Sequence, residues 1–345
     1  MFKFKLKDGS TAIYDGVTFK VQTDDGELIV DGGISHAINV GFIDADGGVF
    51  FQRQLEHIKA RSYDVRYAEL KARELFPVSN DGGAGITTIT YRTYDQAGAA
   101  AIINAYAADL PRADVAGKET TIPVRSIGSS YGYNLDELKS SQMSGAALDQ
   151  RRANSSRRAV EQTINRVAFG GDAESGLTGL FDNPNIPIGA VPDGGSGTEF
   201  VNKTPDQILF DINNLFSDVF ENTKMVERAN TLLLPPAQWS YIMTTPRASN
   251  SDTTIAAYVA ANSPFLTGLE SIIAVNECEA ANNVLAKNVM VAYDRNPDKL
   301  QLEIPVEQEF LPVQQKNLEF IIPSRARLGG LNIYYPLSLA MATEI

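Results

Sequence analysis

The sequence predicts an α+β fold, and three observations lead to that expectation. Apolar and polar residues alternate with a period of two near both ends, in FKFK at 2–5 and in LQLEIPVEQEF from Leu300 onward. One long helical pattern covers 145–169. Between 204 and 305, helical and extended patterns take turns, which is α/β in character. With 345 residues and 43% hydrophobic content, the chain can bury one or two cores.

Residues 1–48 read as an N-terminal arm or a small β element. Phe2, Phe4 and Leu6 alternate with Lys3, Lys5 and Lys7, and the pairs Asp8-Gly9, Asp15-Gly16, Asp25-Gly26 and Asp31-Gly32 suit tight hairpins. Residues 49–76 mix helical stretches with an extended piece around Tyr63 to Tyr67, and Pro77 ends the block. From 86 to 135 the pattern is strand, long excursion, strand: ITTITYR and TTIPVRSIGSSYGY are the arms, with Ala-rich sequence between them. So long a hairpin must fold back on its own body or reach another molecule.

Ala153, Ser156, Val160, Ile164 and Val167 form a narrow stripe of small residues on the helix at 145–169. The helix, about 37 Å long at 1.5 Å per residue, should lie along a sheet or surface. Arg157 and Glu161 are spaced to pair on it. Gly170 and Gly171 stop it, because glycine takes the left-handed conformation cheaply. A second turn, GLTG, then Asn183-Pro184-Asn185 and a Gly/Pro-rich loop follow. Thr204, Pro205 and Gln207 spell a helix start as N-cap, first position and capping partner. TLLL, SIIAVNE and NVMVAYD read as buried strands, and PPAQWSYIM and SDTTIAAYVAAN as helices. After Leu300 the strands return, with a Gly329-Gly330 turn.

The net charge is −12, which makes a poor general binder of nucleic acid. A single cysteine, Cys278, excludes a disulfide framework and makes a cytosolic life the default expectation. The first residues do not read as a signal peptide, and no run approaches the ~18 apolar residues of a membrane span. Two histidines, His36 and His57, lie in different regions with no marked partners, so a metal site or a Ser-His-Asp triad is not expected. Glu277 and Glu279 flank Cys278 and argue against a reactive thiol. DGGAG and DGGSG lack the Gly-Lys-Ser/Thr of a phosphate loop. No catalytic residue, cofactor or metal is therefore expected, and the chain does not read as an enzyme. One charge cluster stands out. Arg151, Arg152, Arg157, Arg158 and Arg166 outnumber Asp149 and Glu161 on the long helix, suited either to ion pairs within or between subunits or to phosphates.

The order of these elements resembles the major capsid protein of tailed bacteriophages, with the Hong Kong 97-type fold. The resemblance rests on ELKARELFPV, YRTYDQAGAA, DLPRADVAGKE, IGSSYGYNLDEL, LDQRRANSSRRAVEQTINRVAFGGD, GLTGLFDNPNI and RARLGGLNIYYPLSLA, together spanning about 50–345. It implies an extended E-loop at 86–126 and a peripheral (P) domain of 49–85, 127–187 and 306–345 built on a spine helix at 145–169. It also implies an axial (A) domain at 188–305. The glycine turn would then bend the chain from the spine helix back onto the P-domain sheet.

The implied function is a structural subunit that self-assembles into hexamers and pentamers of an icosahedral capsid around double-stranded DNA. Assembly would take place in the host cytoplasm. Portal, scaffold and cement proteins and non-specific contact with packaged DNA are the implied partners, with no membrane. Ile102, Ile103, Tyr106 and Leu110 are expected to contact a neighbouring subunit, and Arg112 and Lys118 to pair with its acids. Asn250, Thr253 and Thr254 are expected near the ring axis. Some relatives cross-link an E-loop lysine to a neighbour's asparagine, but no partner for Lys118 can be aligned, so a solvated or ion-paired lysine is expected. The alternatives are an encapsulin-type bacterial compartment shell and a hydrolase with an α/β domain.

Overall fold

The computed structural model describes residues 2–5, 11–14, 19–23, 26–30, 67–98, 112–144, 148–195, 197–248 and 250–345. The chain divides into two units, Met1–Tyr67 and Ala68–Ile345. The helical stretches expected at 49–66, the two histidines and the turns at 8–9, 15–16 and 31–32 lie outside the described residues.

The first unit contains a four-stranded antiparallel sheet in sequence order, β1 (Phe2–Lys5), β2 (Thr11–Tyr14), β3 (Phe19–Thr23) and β4 (Gly26–Val30). Its register aligns Phe2, Tyr14, Phe19 and Val30 in one row across all four strands, and Phe4, Ala12, Val21 and Leu28 in another. The period-two pattern is what allows such apolar rows. Gly26 of the expected Asp25-Gly26 turn is instead the first residue of β4, paired with Thr23.

The second unit begins with a single helical turn, α1 (Ala72–Leu75), and the short strand β5 (Val78–Ser79). Strands β6 (Thr88–Gly98) and β7 (Ala113–Pro123) pair antiparallel along their whole length as an isolated ribbon. The second hairpin arm expected from the sequence is thus two strands. Beyond Pro123, β8 (Arg125–Asn134) leaves β6 and pairs instead with β16 (Glu319–Leu328). The last bond of the hairpin is from Val124 N to Thr87 O at 2.8 Å. Two helices follow, α2 (Leu135–Ser144) and the long α3 (Leu148–Gly170).

The stripe on α3 is buried at Ser156, Val160, Ile164 and Val167. Small residues at its N-terminal half let it approach the sheet of β14 (Val306–Phe310), β16 and β15 (Gln314–Lys316), which β8 joins at one side. There Ser156 bonds with Ser129 at 3.1 Å and Ser324 at 3.3 Å. Its C-terminal half lies in a core with Leu75, Phe76, Leu180, Leu302 and Leu331.

A five-stranded mixed sheet makes the other half of the unit. Its order is β11 (Ile272–Ala274), β10 (Thr231–Leu234), β12 (Val289–Tyr293), β18 (Leu339–Thr343) and β9 (Ile188–Ala190). The central strands are continuous apolar runs because both faces are covered. Leu232, Leu234, Met290 and Ala292 pack with Ile208, Ile212 and Phe216 of α4 (Pro205–Asn222), with Ile242 of α5 (Pro236–Thr244) and with Val259 of α6 (Ile255–Asn262). On the opposite face, Leu233, Val291, Tyr293 and Met341 join the core of α3. The last strand, β18, lies between β12 and β9 within this sheet, apart from β13 (Leu300–Glu303), β16 and β17 (Gly330–Ile333). Residues 306–345 therefore do not form one block. Within the Gly/Pro-rich loop expected at 187–199, β9 forms because the last strand offers it a parallel edge.

The glycine turn is well defined. Gly171 is left-handed with φ 68°, and its N–H reaches Val167 O at 2.9 Å. The chain loops through an Asp172–Leu177 bridge and returns along the helix end. Leu180 N and Phe181 N then donate to Ala168 O and Phe169 O at 2.9 and 2.8 Å. These carbonyls would otherwise have no helical partner, so the turn closes the helix and anchors the strand beyond it.

Candidate assembly surfaces

The β6–β7 ribbon is exposed along most of its length. Thr90 and Thr121 bond across it at 2.9 Å, and Arg92 Nε meets Glu119 at 2.7 Å. On the same face Tyr94 lies across Gly117 and is 67% exposed, and Val115 is 57% exposed. A two-stranded ribbon is marginal alone in water, and this one holds two large apolar side chains out to solvent. Arg112 and Lys118 are exposed on it. Ile102, Ile103, Tyr106 and Leu110 lie outside the described residues. Tyr94 and Val115 were missed from the sequence. Their signal was present as two large side chains in strands otherwise rich in Thr, Gly and Ala, on one face only once the register is known.

At its root the ribbon meets the body of the unit. The Tyr91 ring stands edge-on to Tyr334, with centroids 5.0 Å apart. A groove of about 590 Å³ runs between Tyr91, Thr93 and Lys118 on one side and Asn183, Pro184 and Leu337 on the other. Lys118 thus faces its own chain's groove.

The five arginines of α3 are not equivalent. Arg152 donates to Gly132 O and to Glu137 at 3.1 Å, which holds the Glu137 carboxyl below its usual range, helped by the Asn134 N–H. Arg158 donates to Ala68 O at 3.3 Å. Arg157 does not pair with Glu161 as its spacing suggested. Its guanidinium lies 5.4 Å from the centroid of the Phe310 ring. Glu161 is taken by Arg73, whose fork also grips Glu307, both at 2.8 Å. The two carboxylates hold Arg73 firmly charged, Glu307 contributing most. Bidentate geometry favours this arginine over the single contact available on the helix surface. Arg151 and Arg166 are exposed.

Around 246–254, Thr254 caps α6 by accepting from Ala257 N at 3.3 Å, and it pairs back to Pro246. Its oxygen therefore has a structural task. Arg247 stacks 3.8 Å from the Tyr258 ring centroid and reaches Asp206 at 3.4 Å, holding this loop to α4 and α6. Asn250 and Thr253 remain at the surface. Elsewhere, Leu311, Val313 and Leu318 are exposed at the end of the β14–β16 sheet. Cys278 is fully buried, and burial followed by the charge of Glu277 pushes its thiol far up, as expected of a packing residue. Among the described residues no cluster of three or more His, Cys, Asp or Glu could hold a metal, and no helix is long and apolar enough to cross a membrane.

Beside the exposed hairpin, the long helix against a β-sheet and the mixed sheet that takes in the final strand, the family model for the major capsid protein matches residues 98–345. The chain belongs to the major capsid protein family. Its fold is that of phage capsids. The capsid protein of Myoviridae phage XM1 superposes with a TM-score of 0.75 at 18% identity, covering 87% of this chain and 100% of that one. A solved chain of Mycobacterium phage Ogopogo superposes with a TM-score of 0.58 at 12% identity, covering 85% of this chain and 98% of that one. The capsid of a native GTA particle gives 0.60 at 11% identity, covering 87% and 97%. No curated protein sequence matches the chain. The Hong Kong 97-like α+β fold and the structural role in a phage capsid expected from the sequence both stand, and a bacterial compartment shell is not favoured.

Proposed function

We propose that this capsid protein self-assembles into hexamers and pentamers of an icosahedral shell enclosing double-stranded DNA, and that it carries out no catalysis. The β6–β7 ribbon acts as the E-loop and lies on the adjacent subunit. One observation carries this reading: Tyr94 and Val115 stand 67% and 57% exposed on a ribbon that has no second layer of its own among the described residues. Burying each side chain against a neighbour is worth roughly 1.5–3 kcal/mol. Ile102, Ile103, Tyr106 and Leu110 extend the same contact, with Arg112 and Lys118 pairing with acids.

In this reading the E-loop is 86–126, and the P domain takes 49–85, 127–187 and most of 306–345 around the spine helix. The A domain takes 188–305 and borrows the last strand. Asn250 and Thr253 approach the ring axis. The exposed arginines of the spine helix, Arg151 and Arg166 among them, supply what non-specific contact there is with packaged DNA. Assembly takes place in the host cytoplasm, with portal, scaffold and cement proteins as further partners and no membrane.

Electron microscopy of the full chain and of a Tyr94→Asp/Val115→Asp variant tests the proposal. Rings or shells are expected from the parent. The variant should keep its circular dichroism and melting temperature yet stay unassembled. A parent that remains a lone monomer at high concentration, or a variant that assembles normally, defeats the reading.

A further inference from the structure

Glu303 is a carboxyl group buried at the root of the hairpin, 2% exposed, with no place in the assembly surfaces. It sits on β13, whose backbone at Leu302 and Glu303 pairs with β5. The groups around it come from four elements. Ser79 ends β5, and Asp81 follows in the next turn. Gln301 shares β13, and Asn332 and Tyr334 come from β17 and the residue just after it. Tyr91 of β6 stands edge-on to the Tyr334 ring. Asp81 adds repulsion. Arg327, two residues before Gly329, turns its guanidinium to Ala84 O.

The hydrogen count is the decisive point. The Tyr334 hydroxyl lies 3.0 Å from Gln301 Oε1 and 3.2 Å from Glu303 Oε1. A phenol has one proton to give, so it cannot donate to both oxygens. With the Gln301 amide as placed, a proton on Glu303 satisfies both contacts: Glu303 Oε1–H donates to the Tyr334 oxygen, and Tyr334 donates to Gln301 Oε1. The other carboxyl oxygen, Oε2, has no hydrogen-bond partner, a costly arrangement for a buried carboxylate and a cheap one for the carbonyl oxygen of an acid. Asn332, 1% exposed, lies beside both groups with neither amide atom at hydrogen-bonding geometry; burial outweighs Ser79, Tyr334 and Asn332, which pull the Glu303 carboxyl down.

We propose that Glu303 is held as a neutral acid in the folded subunit and that its ionisation loosens the root of the E-loop hairpin. The coupling is direct. Tyr334 carries the hydrogen bond on its hydroxyl and the hairpin on its ring. Gly329 brings the two elements together as well: an ideal Cβ there would lie 2.9 Å from Glu303 Cβ and 3.5 Å from Ile89 Cδ1. Burial pushes the Glu303 carboxyl up from its ordinary value. A raised acid binds more protons folded than unfolded, so the stability it governs is greatest at low pH and falls as pH rises through the raised value.

The test uses the full chain at pH 5.5 and pH 8. In wild type, amide exchange at residues 88–91 should slow on acidification, after correction for the intrinsic rate. The change should be about tenfold for each pH unit crossed while Glu303 alone titrates, with protection in β10 and β12 unchanged. In E303Q, a neutral side chain that can still donate to Tyr334, that pH dependence should vanish. The stability difference between E303Q and wild type should also grow in favour of E303Q at pH 8. Hairpin-root exchange in wild type that does not change, or that speeds up on acidification, overturns the proposal. So does an E303Q deficit that is the same at both pH values. The wild-type exchange decides the matter alone if E303Q does not fold.

Discussion

An ideal Cβ placed on Gly179 would lie 2.2 Å from Gly171 N and 2.8 Å from the carbonyl oxygens of both Val167 and Phe169. These are backbone atoms that already close the end of the spine helix, so nothing there can give way. Gly179→Ala should cost about 3 kcal/mol or more, at the upper end for overpacking. Gly176 belongs to the same turn with φ 73°, but its nearest neighbour would be Pro123 Cγ at 3.5 Å. Gly176→Ala should cost only the left-handed strain, about 1–2 kcal/mol. Chemical denaturation of the two variants checks the ordering. Equal effects would mean that the close approach at 179 does not hold the turn.

The Lys203–Asp211 pair makes a second residue-level case. The groups meet at 2.7 Å with side chains only 1% and 3% exposed. Burial raises the Asp211 carboxyl, and the Lys203 hydrogen bond and charge oppose that rise. Lys203→Met strands the carboxylate and should cost about 3–5 kcal/mol at neutral pH. With its pKa raised further, Asp211 holds its proton in the folded state before the unfolded chain does. The loss should therefore shrink as pH falls toward the ordinary carboxylate range. Melting temperatures of parent and variant at pH 5 and pH 7.5 report this, and a deficit that widens in acid would refute it.

Whole elements were legible where their signals are local. Helix α4 carries its start in four consecutive residues. Thr204 N lies 2.9 Å from Gln207 Oε1, and the Thr204 side chain caps the third residue in return. Thr204→Ala should cost about 1 kcal/mol. Because the two caps are reciprocal, Gln207→Ala added to it should cost less than the sum of the single changes, measurable as a double-mutant cycle by urea unfolding. The spine helix and its glycine stop were equally readable. What escaped the sequence depends on partners far along the chain. Nothing near Arg125 announces that β8 will pair with β16, and nothing near Leu339 announces a place between β12 and β9. Local spacing paired Glu161 with Arg157, while the fold delivers Arg73 with better geometry. Asn165, buried where it accepts from Ala72 N at 3.0 Å and donates to Glu277, ties α1 to α3 with no motif to mark it. The proposed assembly face was legible as a long hairpin, but Tyr94 and Val115 emerged only with the strand register.

At the scale of the molecule, assembly sets two forces against each other. Each copy carries −12 charges, so like copies repel at long range. The contacts proposed for the hairpin are apolar and act at short range. Raising salt from about 0.01 M to about 0.1 M shortens the screening length from about 30 Å to about 10 Å. The repulsion between approaching subunits is then largely screened, while contacts such as those of Tyr94 and Val115 are untouched. Light scattering of the full chain should therefore show assembly speeding up at least ~10-fold over that range. The Tyr94→Asp/Val115→Asp variant should stay unassembled at either salt, because screening removes a barrier without replacing a lost contact. Assembly that slows with salt would mean that attraction between opposite charges, through groups such as Arg112 and Lys118, dominates the encounter instead.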